Sequence, residues 1–288
     1  MSPEEIYERC VELVSLTHLK PKEAERGVTE MYRLLRKCDP AAGDPCDLYE
    51  AGVMVAQVLS CVGKPDLALQ VARWAWSIDC DDKNEGEYYH LLGSCYLQMS
   101  RKEKEAADAL NRATELFKHQ TLLPVFYRHQ ALLPVVYDDA GRANERVGDY
   151  ARALECWLMV IELLPNPQSY QEKDRKEKAH IHAAECYSRM DRETEALEML
   201  RTVLSMRNPT PWILPRAYYS LGGMQEYKGD MRAAAESYRK AIAAADEDIE
   251  RRRQPGYPQE GCERDVAGLK AIRRNIVSDL RRCEREIT

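Results

Sequence analysis

The sequence predicts an all-α protein, a solenoid of stacked antiparallel helix pairs closed by a C-terminal capping helix. Three observations carry that expectation. One pattern recurs along the chain: an apolar helical stretch, a short polar turn, then a second helix with alanine at a fixed place. Small residues recur where the two helices of a pair would cross, which lets backbones approach at the short end of the usual ~8–10 Å separation. Finally, 44% of the 288 residues are hydrophobic and 31% charged, a balance that excludes both a disordered polar tail and a fibrous repeat.

The clearest copy of the pattern is residues 215–248, PRAYYSLGGMQEYKGDMRAAAESYRKAIAAADED. Residues 134–167 align with it without a gap: Pro134 under Pro215, Tyr137 under Tyr218, Gly141 under Gly222, Gly148-Asp149 under Gly229-Asp230, and Ala153 under Ala234. Three weaker copies share the frame at 49–82, 86–120 and 177–210. Gly93, Gly141, Ala184 and Gly222 stand at the crossing on first helices, and Ala68, Ala106, Ala153, Ala196 and Ala234 on second helices. Tyr218, Leu221, Tyr238, Trp157 and Leu154 are the large residues that fill the flanking gaps. Gly63, Gly148 and Gly229 fall at interhelical turns, where a positive φ is often required.

The remaining segments follow the same logic. Residues 1–40 read as a degenerate helical hairpin with apolar positions at Ile6, Val11, Leu13, Val14 and Leu16, then Val28, Met31, Tyr32 and Leu35. Cys38 to Pro45 is rich in Pro and Gly and reads as a loop. In 117–136, Pro134 opens a helix, where a missing N–H costs nothing, and Pro124 marks a loop whose Val125, Phe126 and Tyr127 either pack into the core or form a second contact patch. RRRQPGYPQEG after residue 250 reads as a further loop. The helix at 262–288 then keeps Val266, Leu269, Ile276, Leu280, Cys283 and Ile287 on one face and caps the apolar end of the last pair.

The formal net charge of −6 gives no general drive toward nucleic acid or anionic membrane. No run approaches the ~18 apolar residues needed to span a bilayer, and the acidic opening is unlike a secretory leader, so the expected location is cytoplasmic. The ten cysteines are scattered, without a CxxC pair, which is not a zinc pattern and points to reduced, structural thiols.

Tyr218, Leu221-Gly222, Ala234, Tyr238 and Ala241, with Gly141, Ala153, Trp157 and Pro165 in the second copy, resemble the tetratricopeptide repeat (TPR) family. The resemblance covers 49–248 in five units and implies a right-handed α-solenoid. Intervals of 38, 47, 43 and 38 residues between Ala68, Ala106, Ala153, Ala196 and Ala234 exceed the family's standard repeat. It also implies that first helices line a concave groove, bringing Gln57, Cys61, His90, Ser94, Asp138, Arg142, Glu145, Arg146, Lys178, Glu185, Arg189, Arg216, Tyr219, Glu226 and Tyr227 inward. Co-chaperones of this family that bind a Glu-Glu-Val-Asp tail use a Lys/Asn/Arg carboxylate clamp. The corresponding positions here hold Gln57 and Leu91, or Arg142 and His182, so that function is not carried over.

Motifs for catalysis are missing: there is no GxGxxG, Walker A, GxSxG or HExxH. His180 and His182 lie two residues apart, about 200° around a helix, and cannot share one ion. No cofactor, metal or enzymatic activity is therefore expected. The candidate partner-binding residues are Arg142, Arg146, Lys178, Arg189, Arg216, Tyr219 and Tyr227, cations suited to an acidic peptide and phenols that could stack on it. Against this stands neutralisation by Glu145, Glu185 and Glu226 into a solvated mixed face.

The expected function is a non-catalytic adaptor, a monomer or subunit of a complex, that binds a protein or peptide of acidic character. Four alternatives stay open or are weighed against it: a structural subunit docked through its convex face and C-terminal helix, a ligand-sensing enzyme regulator, a short dimer helix at 262–288 disfavoured by Arg273 in its seam, and an RNA-binding repeat disfavoured by the acidic charge.

Overall fold

A computed structural model describes residues 2–38, 44–81, 83–120, 132–210, 212–254 and 262–287. These form thirteen helices and no strand. The chain divides into two compact units, Met1–Gly148 and Asp149–Thr288, and the division falls in the turn of the third expected pair.

The first unit contains α1 (Pro3–Leu19), α2 (Pro21–Leu35), α3 (Pro45–Cys61), α4 (Pro65–Ser77), α5 (Glu85–Leu97), α6 (Glu103–Gln120) and α7 (Leu133–Val147). Proline stands in the opening turn of α1, α2, α3, α4 and α7, where its missing N–H would have had no helical partner anyway. Pro134 thus opens α7 as expected. Helices pack in consecutive pairs, α1 on α2, α3 on α4 and α5 on α6, while α1 also lies beside α3 and α6 beside α7. Their apolar stripes merge into one cluster running from Ile6 and Leu13 through Val55 and Leu59 to Leu91, Cys95 and Ala109.

The second unit contains α8 (Tyr150–Leu163), α9 (Tyr170–Arg189), α10 (Glu193–Leu204), α11 (Ile213–Tyr227), α12 (Met231–Arg253) and α13 (Cys262–Ile287). The turn between α11 and α12 shows how the repeat motif works. Gly229 takes φ 80°, a left-handed conformation that lets α11 end, and the Asp230 carboxylate then accepts the Ala233 N–H at 3.0 Å to cap α12. Gly148 (φ 81°) and Asp149, which accepts the Arg152 N–H at 3.1 Å, repeat the device at α7 and α8.

The marker alanines do what close packing asks of them. Ala68, Ala106, Ala153, Ala184, Ala196 and Ala234 are fully buried. Gly222 is a tighter case: a Cβ there would lie 2.5 Å from the Tyr238 ring, so glycine is what admits that tyrosine to the α11–α12 crossing. At Gly93 the residue filling the same role is Leu110.

The C-terminal helix caps the last pair. Leu269, Ile276 and Cys283 are fully buried against Ala234, Ala235, Tyr238, Ala241, Ala245 and Ile249 of α12. Trp212 helps to seat it. This residue holds φ 81°, unusual for a bulky side chain. Its N–H donates to the Asp248 carboxylate at 3.0 Å, and its ring occupies the space a side chain at Gly268 would need.

Four expectations need correction. Cys46 and Cys80 are not free thiols but form a disulfide, with Cα atoms 5.2 Å apart, that ties the start of α3 to the segment after α4. Folding of the α3–α4 pair is what brings these distant positions together, which scatter in sequence conceals. Helix α3 starts at Pro45, within the expected loop and ahead of residue 49, because Asp44 accepts the Cys46 N–H at 2.8 Å and caps it. Helix α12 runs on to Arg253 instead of giving way to a loop at 250, since three arginines in its last turn suit the negative end of the helix dipole. Val11 and Val14 face outward, 48% and 39% exposed, while Ile6, Cys10 and Leu13 form the buried stripe of α1. Pro124, Val125, Phe126 and Tyr127 lie outside the described residues.

Candidate partner-binding faces

In the first unit the candidate residues sit on α7, one turn apart. Arg142 pairs with Asp138 at 3.2 Å and with Asp139. Asp139 is itself almost buried and meets the His90 ring of α5, Nε2 to carboxylate oxygen, at 3.0 Å. Arg142 is therefore held in a small network joining α5 to α7. Arg146 differs: it is exposed and donates to the Leu97 carbonyl at 2.5 Å, an interaction that leaves its charge uncompensated by that partner. Gln98 of the same region donates to the Ser60 hydroxyl at 2.7 Å, tying α3 to the end of α5.

In the second unit the candidates lie on α9 and α11, which pack side by side. Lys178 donates to Asp174 at 2.5 Å. Arg216 lies 3.6 Å from Glu185 and 3.0 Å from the His182 ring, which stacks on Trp157 with centroids 4.5 Å apart. Arg189 has no carboxylate within ion-pair distance among the described residues; its guanidinium lies 6.0 Å from the Tyr150 ring centroid. Tyr227 is 82% exposed at the end of α11. Arg189 and Tyr227 are thus the candidates in this unit that keep their charge or ring turned to solvent.

Tyr219 and Glu226 serve the cap. The Tyr219 hydroxyl donates to Asp279 of α13 at 2.8 Å, and burial, then that bond, pushes its pKa up to about 12. Glu226 accepts both arms of Arg282, at 2.6 and 3.0 Å, and the Tyr238 hydroxyl at 2.7 Å. The arginine bonds hold the Glu226 carboxyl below the usual carboxylate range, while burial and Glu226 push the Tyr238 phenol up. Residues expected to face inward on the last pair are here used to hold the next helix, which repeat position alone does not reveal.

The two histidines part company as their spacing requires. His180 Nδ1 lies 2.9 Å from the Lys176 carbonyl of its own helix, and burial lowers its pKa, favouring the neutral ring. Among the described residues no helix is long and apolar enough to cross a membrane.

The outer face of α13 carries cations that sequence reasoning left unassigned. Arg273 forms a two-armed pair with Asp246 of α12 at 2.6 and 3.0 Å, which explains how an arginine fits beside the seam. Arg274 and Arg281 are exposed and have no carboxylate partner among the described residues. The signal was present as two arginine pairs eight residues apart, but which member of each pair faces outward depends on packing.

Comparison with known proteins bears on the family. No curated protein sequence matches the chain significantly. The family model for the tetratricopeptide repeat matches residues 215–248, the α11–α12 pair. A putative kinesin light chain from Podosopora anserina with nearly identical TPR-like repeats is similar in structure, with TM-score 0.54 at 17% identity, covering 73% of this chain and 99% of that one. A Rap protein complexed with Competence and Sporulation Factor gives TM-score 0.54 at 14% identity, covering 97% and 78%. The apo form of RapI gives 0.51 at 11%, covering 98% of each. At such identities the likeness shows the fold alone, a solenoid of helix pairs, and the family match shows one tetratricopeptide repeat at α11–α12.

Proposed function

We propose that the protein is a non-catalytic interaction scaffold that holds a partner segment of acidic character against its first-helix faces. The candidate residues are Arg142 and Arg146 in the first unit and Lys178, Arg189, Arg216 and Tyr227 in the second, Tyr219 being engaged by Asp279 of α13. The observation that carries the reading is the contrast within this set. Arg142, Lys178 and Arg216 already have carboxylates nearby, whereas Arg146, Arg189 and Tyr227 present charge or ring to solvent. Paired cations shape such a face, and the others read the partner through charge-assisted bonds and stacking. The Rap protein similar in fold was solved with Competence and Sporulation Factor bound, which supports a binding role for this architecture.

The test is capture of partners by wild type and by Arg146→Glu with Arg189→Glu, both positions exposed and outside the apolar cores. The expected outcome is loss of the captured partner with unchanged helical circular dichroism. Equal capture by both proteins rejects the first-helix faces. It would leave the second reading, a subunit that docks through its outer surface and C-terminal helix, which the unpaired arginines of α13 favour.

A further inference from the structure

We infer that the outer face of α13 is a separate docking surface for an acidic helical segment of a partner protein. The inference rests on the scaffold reading but not on the first-helix faces. Leu269, Ile276 and Cys283, seven residues apart, are the buried line of α13. Arg274 and Arg281 each stand two residues before a member of that line, about 200° around the helix, and so point the opposite way. With Arg285 they form a stripe at intervals of seven and four residues, about 16 Å long.

The stripe borders an open groove of about 710 Å³, with Val277 and Ser278 between the arginines. Its two flanks are fixed by ion pairs to α12: Arg273 to Asp246, and Glu284 to Arg239 at 2.7 Å. These bonds hold the helix in one rotation, so Arg274 and Arg281 are presented in a set geometry while pairing with no carboxylate of their own. Six cations stand against two carboxylates between Lys270 and Arg285, in a chain whose net charge is −6. The local field is therefore opposite in sign to that of the whole chain.

The chemistry favours a peptide over other anions. Guanidinium forks match carboxylates in two-armed pairs, and a seven-plus-four interval is the spacing of residues on one face of another helix. Half-buried Val277 offers an apolar contact between the charges. No aromatic ring lines the groove for base stacking, which disfavours single-stranded nucleic acid. The buried apolar line of α13 is spent on α12, which disfavours insertion into a lipid surface.

The test uses the full chain and two fluorescein-labelled helical peptides of one composition. One carries glutamates seven and four residues apart on one face with a leucine between them; the other has the same residues scattered around the helix. Fluorescence anisotropy at low salt is expected to show at least tenfold tighter binding of the first, and at least a tenfold loss in Arg274→Glu with Arg281→Glu. Arg274→Gln with Arg281→Gln should also lose binding, which guards against a folding defect in the reversed variant. Arg189→Glu should leave peptide binding unchanged, so failure of the first-helix reading and failure of this one are told apart. Equal binding of both peptides, or no effect of the arginine changes, overturns the inference. Tighter binding of a uridine oligonucleotide overturns it in favour of RNA, and a wild-type dimer dissolved by the arginine changes overturns it in favour of a second copy of the chain.

Discussion

The two units are built from the same kind of helix pair but differ in how their apolar contacts are distributed and in the disulfide. In the first, one apolar cluster runs through six helices, and a disulfide closes the α3–α4 pair. In the second, the apolar residues fall into smaller clusters, around Ile181 and Leu200, around Tyr238 and Ile276, and around Ile249 and Leu269. Polar links join its elements as well, as His90–Asp139 and Gln98–Ser60 do in the first. Glu177, almost buried on α9, accepts the N–H and hydroxyl of Thr210 at 2.8 and 2.7 Å; Asp248 accepts from Trp212; Glu226 and Asp246 hold Arg282 and Arg273 of α13. The lesson is that one repeat pattern tolerates either solution, and that they respond to different disturbances.

The largest effect expected tests the apolar side of the contrast. Leu59 is fully buried in the first cluster, and Leu59→Ala should cost about 4 kcal/mol in stability, measured by urea unfolding. A cost near 1 kcal/mol would mean that this core is looser than its burial implies. Next comes the disulfide, which closes a 34-residue separation; its reduction, or Cys46→Ser with Cys80→Ser, should cost the first unit about 3 kcal/mol. Hydrogen exchange of α3 and α4 with and without reductant reads this directly, and unchanged protection would remove the disulfide from the comparison.

On the other side, Gly222→Ala should cost the second unit about 2 kcal/mol by forcing the Tyr238 ring away from the crossing. Tyr238→Phe should cost about 1 kcal/mol, the worth of a hydroxyl bond to a carboxylate that keeps Arg282. Both are read by thermal unfolding.

The smallest effect is the most diagnostic. The folded Glu226 carboxyl is held below its ordinary 4.5, so its contribution is present above that pH and is lost as acid reaches the folded-state value. Tyr219 works in the other direction. Its folded pKa of about 12 lies above the ordinary 10, so its contribution is complete below pH 10 and is lost as pH rises toward 12. The protection of α13 amides relative to their intrinsic exchange should therefore fall at both extremes, whereas that of the α3–α4 pair should show no matching change in acid. A cap that stays protected in acid would show that its apolar contacts alone suffice.

Much of this architecture was legible beforehand. Periodicity placed the helix pairs, because a residue that must be small at a crossing is small whatever surrounds it: Ala153 and Ala234 are buried as their alignment implies. Gly-Asp at a turn is equally local, since the positive φ of Gly229 and the cap by Asp230 need only neighbouring backbone. The candidate faces were legible only as residue types. Whether Arg142 or Arg146 remains open to a partner depends on Asp139 of the same helix and on His90, which comes from α5. Tyr219 read as a groove residue until α13, sixty positions on, supplied Asp279.

The sequence by itself determined the all-α repeat, its turns, the small residues at crossings and the apolar line of the C-terminal helix, all set by interactions within about one helical turn or by one repeated contact. Tertiary structure alone decided that Cys46 meets Cys80, that Trp212 seats against Gly268, and that Arg273 is paired while Arg274 is not. Those outcomes depend on the rotation and separation of helices far apart in sequence. No local pattern encodes them, because the energy that selects each one is released only when the packed partners meet.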